Sequence, residues 1–261
     1  MTQIATRFER IKPRPAYELV AEAIERKILA GRLKPGDPVG TESELVKQFG
    51  VNRSTVREGI RLLEQSGLVA REPSRRLSVA VPHYHRLATR MTRALILQQV
   101  TFRELWHTSR ALEPAAVDQA MDNATDEDLA ALASNVDKTR KVAADPAAVA
   151  ELDAEFHRLI GRAAHNRVLL LAKEPSGMLV RPTTAFIIFN NPGGIPRLIE
   201  AHEHILDALQ RRDREKGRLW VDRHLRDWKA GFERSGMDLD SPVDRIELPW
   251  PGSRTPSQDE R

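Results

Sequence analysis

The chain has 261 residues, 41% hydrophobic, 30% charged and 5% aromatic, which suits one large domain or two modest ones with a packed core. It contains no cysteine, which excludes disulfides, thiolate metal sites and cysteine nucleophiles. No apolar run approaches the roughly 20 residues of a membrane span, and the first residues lack the apolar segment of a secretory signal. We therefore expect a helix-rich cytoplasmic protein that does not enter a membrane.

The formal net charge of +4 is unevenly distributed. Residues 1–81 hold 15 Lys and Arg against 10 Asp and Glu, whereas the rest of the chain holds 26 against 27. A basic excess in the N-terminal third is what contact with phosphate requires. A solvated surface with a chance asymmetry would give the same count, so charge by itself leaves both interpretations open.

The first third of the chain begins with residues 1–14, which carry several basic side chains and are predicted to form a flexible arm. Helical spacing of apolar residues predicts a first helix over 15–30, and Gly31 is a candidate for its end. The next stretch, RLKPGDPVG (32–40), reads as a turn cluster.

Two short amphipathic helices joined by a tight turn follow, in ESELVKQFGVNRSTVREGIRLLEQSG (42–67). Thr41 and Glu44 have the spacing of a capping box at the first helix, and Asn52 is a cap for the second. Short strands are predicted over 68–71 and 77–81. Three helices followed by a hairpin predict a winged helix-turn-helix over 15–81.

This region resembles the DNA-binding domain of the GntR family of bacterial regulators. The resemblance rests on GRLKPGD (31–37), ESEL (42–45), GVNRSTVRE (50–58) and GLV (67–69). It implies DNA contacts from residues near the start of the second helix and from one residue of the first, namely Arg53, Ser54, Thr55, Arg57 and Ser43. Arginine suits a guanine edge and Ser or Thr suits phosphate, but which arginine reads a base stays open.

The predicted wing departs from the family. Its tip usually contains a glycine that enters the minor groove, whereas this chain has PSRRL (73–77). We expect Arg75 or Arg76 to contact phosphate or a narrow minor groove instead. Arg61, farther along the second helix, is interpreted as an exposed helix charge.

Beyond a linker at 82–85 the pattern is helical. Seven helices are predicted, over 86–99, 101–121, 125–142, 146–165, 167–190, 194–212 and 213–235. Residues 236–261 turn polar and proline-rich, and we expect a loosely held tail there. The predicted fold class is therefore mainly α, with a small β-hairpin wing in the N-terminal domain and an all-helical bundle over 86–235.

Asp153 and His157 are four residues apart, which places both on one face of a helix. His202 and His224 lie on separate predicted helices that could face the first one. One carboxylate and three imidazoles are a plausible set of ligands for a divalent metal. Histidines that are hydrogen-bonded in the core or exposed to solvent are the alternative, since spacing alone is weak support for a site.

Residues 86–235 resemble the FadR-type C-terminal domain (FCD), an all-helical domain that binds ligands and dimerises. The matching stretches are SRALE (109–113), DAEFHRLI (153–160), AHN (164–166), HEHILDAL (202–209) and HL (224–225). The resemblance implies a metal held by Asp153, His157, His202 and His224. Aligning through LDAL (206–209) selects His202 over His204, with His165 as a weaker alternate. Zinc is the default metal, and nickel or manganese also fits.

An arginine beside the metal would suit a small carboxylate effector. Arg110 is similar to an arginine that points into the pocket of this family, and Asn166 and Arg181 are weaker candidates. A salt bridge from Arg110 to Glu113 or to another helix is the alternative.

Together these features predict a homodimeric regulator, interpreted as a repressor, that binds a palindromic operator in double-stranded DNA and responds to a small organic acid. A metal-dependent hydrolase or lyase that uses the same Asp and His centre is a second hypothesis, disfavoured because an enzyme does not need a DNA-binding head. A regulator that senses the metal itself is a third.

Overall fold

The computed structural model describes residues 13–72, 76–82, 84–191 and 193–243. The chain divides into two compact units, residues 1–83 and 84–261. Among the described residues, no helix is long and apolar enough to cross a bilayer.

The N-terminal unit is a winged helix-turn-helix, as predicted. Its elements in chain order are α1 (Ala16–Leu29), β1 (Pro38–Gly40), α2 (Glu42–Phe49), α3 (Arg53–Ser66), β2 (Val69–Arg71) and β3 (Leu77–Val79). The capping box of Thr41 and Glu44 is present, and Asn52 caps α3. Gly50 and Gly67 end the two helices in the left-handed region, which glycine adopts at little cost.

The strand β1 corrects the prediction that residues 32–40 form only a turn. The turn closes where Asp37 N–H donates to the Lys34 carbonyl, and the chain then pairs with β3, with Pro38 opposite Ser78. The sheet order is β1-β3-β2, all antiparallel. Three residues that begin with proline have no strand pattern of their own, because proline is confined to edges and strand starts. Their partner strand lies almost forty residues away, so the sequence nearby does not reveal it.

The core of this unit joins the three helices to the sheet. The buried apolar side chains are Val20, Ala21, Ile24, Leu45, Val56, Ile60, Leu63, Val69 and Leu77. Val46, Phe49 and Val51, which belong to the helix-turn-helix, pack against this core while partly exposed. Burial of these side chains fixes the angle between α2 and α3, and so determines which face of α3 remains exposed.

The C-terminal unit is an all-helical bundle. Its helices are α4 (Tyr84–Leu97), α5 (Phe102–Asn123), α6 (Asp126–Lys141), α7 (Pro146–Ala163), α8 (Arg167–Asn190), α9 (Gly194–Arg211) and α10 (Arg214–Arg234). All seven predicted helices are confirmed, with ends that move by at most two residues. One consequence is that the linker is shorter than the predicted 82–85, because α4 already begins at Tyr84.

The predicted loose tail begins later than expected, because residues 237–243 pack against the bundle. Leu239 is buried in a cluster with Phe102 and Phe232. The Arg103 backbone N–H donates to the Leu239 carbonyl, and its guanidinium forms an ion pair with Asp240 at 2.6 Å. Apolar residues in an otherwise polar stretch thus supply contacts that polarity alone did not indicate. Residues 244–261 lie outside the described part of the chain, as do residues 1–12 of the predicted arm.

Close packing of α1 on α3 depends on Gly59. A Cβ at this position would lie 2.9 Å from the Tyr17 carbonyl oxygen and 3.0 Å from Val20 Cγ1. We expect Gly59→Ala to lower the free energy of unfolding of the N-terminal unit by about 1–3 kcal/mol, because α1 must move away. Urea unfolding followed by circular dichroism would measure the change.

Gly177→Ala is the matched control, since Gly177 lies within α8 and a Cβ there meets nothing within 4 Å. It should leave stability unchanged or raise it by up to about 1 kcal/mol through helix propensity. Equal stability of the two variants would contradict the close approach of α1 and α3.

Candidate functional site

The exposed start of α3 carries the predicted DNA contacts. Asn52 Oδ1 accepts from the Thr55 backbone N–H and from the Ser54 hydroxyl, both at 2.8 Å. This cap holds the first turn of the helix in place. Arg53 donates from Nη2 to Ser43 Oγ of α2 at 3.0 Å. Residues predicted from two separate helices therefore meet on one exposed surface.

Glu42 positions a further predicted contact, a role that the sequence did not reveal. Arg57 Nε donates to Glu42 Oε2 at 2.8 Å, and Arg71 Nη2 donates to Glu42 Oε1 at 3.4 Å. The hydrogen bond from Arg57 lowers the pKa of Glu42, so the carboxylate is ionised at neutral pH. Because this bond uses Nε, the Nη groups of Arg57 remain for an outside acceptor. Arg75, the predicted wing contact, lies outside the described residues and stays a prediction.

The four predicted metal ligands come together inside the C-terminal unit. Asp153 and His157 lie one turn apart on α7, His202 lies on α9 and His224 lies on α10. One ligand atom from each lies within 4.8 Å of all the others. Three helices that are separate in sequence thus converge on one centre.

The spacing of the ligand atoms suits a metal ion. Asp153 Oδ1 lies 3.3 Å from His202 Nε2, 3.5 Å from His224 Nε2 and 3.9 Å from His157 Nε2. The Nε2 atoms of His157 and His224 are 3.0 Å apart. Ligands bonded to one ion at about 2.0–2.1 Å lie about 3.0–3.4 Å from each other. The distances of 3.0, 3.3 and 3.5 Å are close to these values, and the fourth, 3.9 Å, is longer.

Buried polar atoms without partners also favour an ion at this centre. Asp153 Oδ1 and His202 Nε2 are fully buried, and among the described residues neither forms a hydrogen bond of acceptable geometry. Unpartnered buried polar atoms are costly, and an ion would be a partner for both. The His202 ring stacks on Phe156 with centroids 3.8 Å apart, which fixes its orientation.

The protonation states of two ligands match those needed for metal binding, an ionised carboxylate and a neutral imidazole. Burial opposes ionisation of Asp153, but the neighbouring imidazoles of His202 and His224 lower its pKa well below the usual range. Burial lowers the pKa of His202 to about 3, which keeps that ring neutral. The donor set therefore fits a divalent cation.

Two buried charged side chains that are not predicted ligands, Glu113 and Lys173, form hydrogen bonds around His157. His157 Nδ1 lies 3.0 Å from Glu113 Oε2, and Lys173 Nζ donates to the same oxygen at 2.8 Å and to the His157 carbonyl at 3.3 Å. Burial opposes ionisation of Glu113, but Lys173 and His157 lower its pKa to about 2. An ionised Glu113 accepts a hydrogen bond from His157 Nδ1–H. This bond orients the ring so that Nε2 faces the centre. The sequence signal for Lys173 was a charge next to an apolar run, VLLLAK (168–173), on a buried helix.

The two alternative histidines, His204 and His165, lie outside the centre. His204 stacks on Trp220 with centroids 3.9 Å apart, and His165 Nε2 lies 2.8 Å from Asp128 Oδ2. The structure therefore places His202, as the alignment had selected, and neither alternate in the centre.

A cavity leads from the cluster of Asp153 and the histidines to the surface. Its inner part, about 40 Å³, is lined by Asp153 and His224 together with apolar side chains of α8 and α9. Its outer part, about 310 Å³, is lined by Asn191, Gly193, Gly194, Arg197, Asp227 and Arg234. All of these except Gly193 also line the inner part, so the two parts are continuous.

The three predicted effector contacts do not line this cavity. Arg110 lies 3.4 Å from Asp222 Oδ1 and stacks over Trp106, which matches the alternative of a salt bridge to another helix. Asn166 caps α8, and Arg181 forms an ion pair with Glu151. An effector role for these three residues stays a prediction. The arginines that do line it, Arg197 and Arg234, were not predicted.

A winged helix-turn-helix joined to a helical bundle is an architecture typical of DNA-binding regulators. The comparisons with known proteins agree. Residues 16–79 match the bacterial regulatory proteins of the gntR family, and residues 104–227 match the FCD domain. The chain belongs to the GntR family of transcription regulators and carries an FCD domain. Its relatives are transcription regulators rather than enzymes, which excludes the hydrolase or lyase hypothesis.

Relatives match across most of the chain. The uncharacterized HTH-type transcriptional regulator YdhC of Bacillus subtilis is 26% identical over 221 residues, which cover 84% of this chain and 91% of YdhC. The HTH-type transcriptional repressor NanR of Cronobacter sakazakii is 27% identical over 221 residues, which cover 80% of this chain and 82% of NanR. The structure of a Streptococcus agalactiae GntR protein has a TM-score of 0.57 at 19% identity, covering 82% of this chain and 99% of that one. This last likeness shows the fold.

Glu113 should affect zinc affinity without being a ligand. We expect Glu113→Gln to weaken zinc binding about 10- to 100-fold, because the amide no longer holds His157 Nδ1 as an ionised carboxylate does. Competition against a chelating zinc indicator would measure the change, with circular dichroism to verify folding.

Glu155→Gln is the control, since Glu155 lies on the same helix as the ligands but its Oε2 contacts Asn135 instead, at 3.2 Å. Its zinc affinity should equal that of the wild type. If Glu113→Gln also bound zinc as the wild type does, the supporting role of Glu113 would be wrong.

Proposed function

We propose that this protein is a homodimeric transcriptional repressor whose operator binding is modulated by a small organic acid at a metal-containing pocket in the C-terminal bundle. The observation that carries the proposal is the convergence of Asp153, His157, His202 and His224 on one buried centre that opens into a cavity. A bundle that only packed its helices would not need four ligand-type groups at the base of a cavity.

The DNA-binding surface supports the regulatory half of the proposal. Arg53, Ser54 and Arg57 are exposed at the start of α3, the position from which a recognition helix reads the major groove. Ser43 and Arg71 adjoin them and would contact phosphate. Two copies of this surface, related by a two-fold axis, would bind the half-sites of a palindromic operator.

The metal centre supports the sensory half. Zinc is the first choice for three imidazoles and a carboxylate, and nickel or manganese would also accept this set. When bound, the cation would supply a Lewis-acidic site for one oxygen of a carboxylate ligand. The protein's own contribution is to hold the four ligand atoms close together and to open the centre to a cavity of limited size.

Ligand and operator must then influence each other's affinity equally. If the acid weakens operator binding, operator must weaken acid binding by the same factor. The assignment as a repressor follows the relative NanR, which is named a repressor.

Arg57 and Arg61 provide a matched test of the DNA surface. We expect Arg57→Ala to weaken binding to the operator in the promoter of its own gene about 10- to 100-fold, because a bidentate contact to a base edge is lost. Arg61, one turn farther along α3, pairs with Glu58, and Arg61→Ala should reduce affinity less than about threefold. Fluorescence anisotropy at several salt concentrations would measure both. Equal effects of the two substitutions would contradict the assigned face of α3.

Removal of the metal should abolish the response to the acid but not DNA binding itself. Protein stripped with a chelator should bind operator, and a carboxylate effector should no longer change that affinity; restored zinc should restore the response. Asp153→Asn should behave like the stripped protein, since an amide is a poor replacement for the ionised ligand. If zinc alone released the operator, the protein would be a metal sensor and the proposed organic effector would be wrong.

A further inference from the structure

We propose that the mouth of the cavity is an anion subsite, formed by Arg197 and Arg234, which makes the protein selective for a dicarboxylate. The inference rests on the proposed function, because it assumes that one carboxylate of the ligand reaches the metal centre. It adds the chemical class of the ligand and the residues that select it.

Two arginines converge on one carboxylate at this mouth. Arg197 Nε lies 3.1 Å from both oxygens of Asp227, and Arg234 Nη2 lies 3.7 Å from Asp227 Oδ1. All three residues line both parts of the cavity. Two guanidinium groups against one carboxylate leave one positive charge in excess. A second anionic group on the ligand would neutralise it.

The backbone at the mouth adds to the positive potential. Helix α9 begins at Gly194, which lines the cavity, and in the described structure no side chain caps this end of the helix. The N-terminal end of an 18-residue helix carries a partial positive charge that favours anions. Anion binding at the mouth does not depend on the helix end alone, because Arg197 and Arg234 lie beside it.

An independent observation deeper in the cavity indicates a polar ligand. Thr184 Oγ1 and Trp228 Nε1 are buried and have no hydrogen-bond partner among the described residues. Both residues line the inner cavity, and Thr184 is 4% exposed. A buried donor without a partner is destabilising, and a bound oxygen-rich ligand would be that partner.

The size of the cavity limits the length of the ligand. The inner part, at about 40 Å³, has room for about three water-sized groups. It lies between the metal ligands Asp153 and His224 on one side and the two arginines on the other. A ligand that spans it therefore has a few carbon atoms between its two charged ends. Short dicarboxylates, such as succinate and glutarate, have this form.

A monocarboxylate would engage the metal centre and leave the arginines paired with Asp227. A dicarboxylate would also compete with Asp227 for Arg197 Nε, since a guanidinium group suits a carboxylate. The mouth would thus discriminate between acids of equal length by the presence of the second charge.

Calorimetric titration of the full-length, zinc-loaded protein would test the subsite, with succinate and glutarate compared with butyrate and valerate. We expect each dicarboxylate to bind at least about tenfold more tightly than the monocarboxylate of equal length, because its second carboxylate makes one additional charge-assisted contact. In Arg197→Gln and Arg234→Gln this ratio should fall below about threefold, while monocarboxylate affinity stays unchanged.

Arg226→Gln is the matched control, because Arg226 also lies on α10 and pairs with Asp222 outside the cavity; it should keep the wild-type ratio. Zinc content and circular dichroism would establish that each variant retains its metal and fold. Equal affinity of the wild type for mono- and dicarboxylates would overturn the subsite while leaving the proposed function intact. Binding of neither class would overturn the proposed effector chemistry together with the subsite.

Discussion

A carboxylate buried away from water needs compensating charge or hydrogen bonds, and among the described residues Asp153 Oδ1 has no hydrogen-bond partner although three imidazoles surround it. These four groups come from α7, α9 and α10, so the three helices meet around one unsatisfied oxygen. Phe156 stacks on His202, and Glu113 bonds to His157, so two of the rings are oriented by neighbours that are not ligands. The centre is therefore held in place before any ligand arrives, which reduces the cost of ordering it on binding.

The same arrangement of charges recurs in both units. In the N-terminal unit Glu42 holds Arg57 and Arg71, and in the C-terminal unit Asp227 holds Arg197 and Arg234. In each case one carboxylate contacts two exposed arginines; Arg71 also pairs with Glu64 at 3.4 Å. Fixed arginines lose less side-chain entropy when they contact an anion, so both surfaces are suited to bind one.

Regulation through these two surfaces needs no chemistry beyond binding. The bundle offers a buried cluster of one aspartate and three histidines beside a small cavity, and the N-terminal unit offers a recognition helix with a capped start. Because relatives across most of the chain are transcription regulators, the metal ligands are best interpreted as part of a binding site rather than of a catalytic one. Coupling between the sites then follows from the difference in ligand affinity between DNA-bound and free protein.

The sequence by itself determined the features that depend on neighbouring residues. Apolar periodicity and capping residues located the helices to within two residues, and the spacing of Asp153 and His157 placed both on one helical face. What only the tertiary structure decided are pairings between distant segments. The edge strand β1 depends on β3, the packed residues 237–243 depend on the start of α5, and the arginines of the cavity are recognisable only once α9 and α10 lie side by side. Local propensity acts over a few residues, whereas burial and charge compensation act across whatever parts of the chain the fold brings together. This is why the shared face of Asp153 and His157 could be predicted from spacing and the cavity beside them could not.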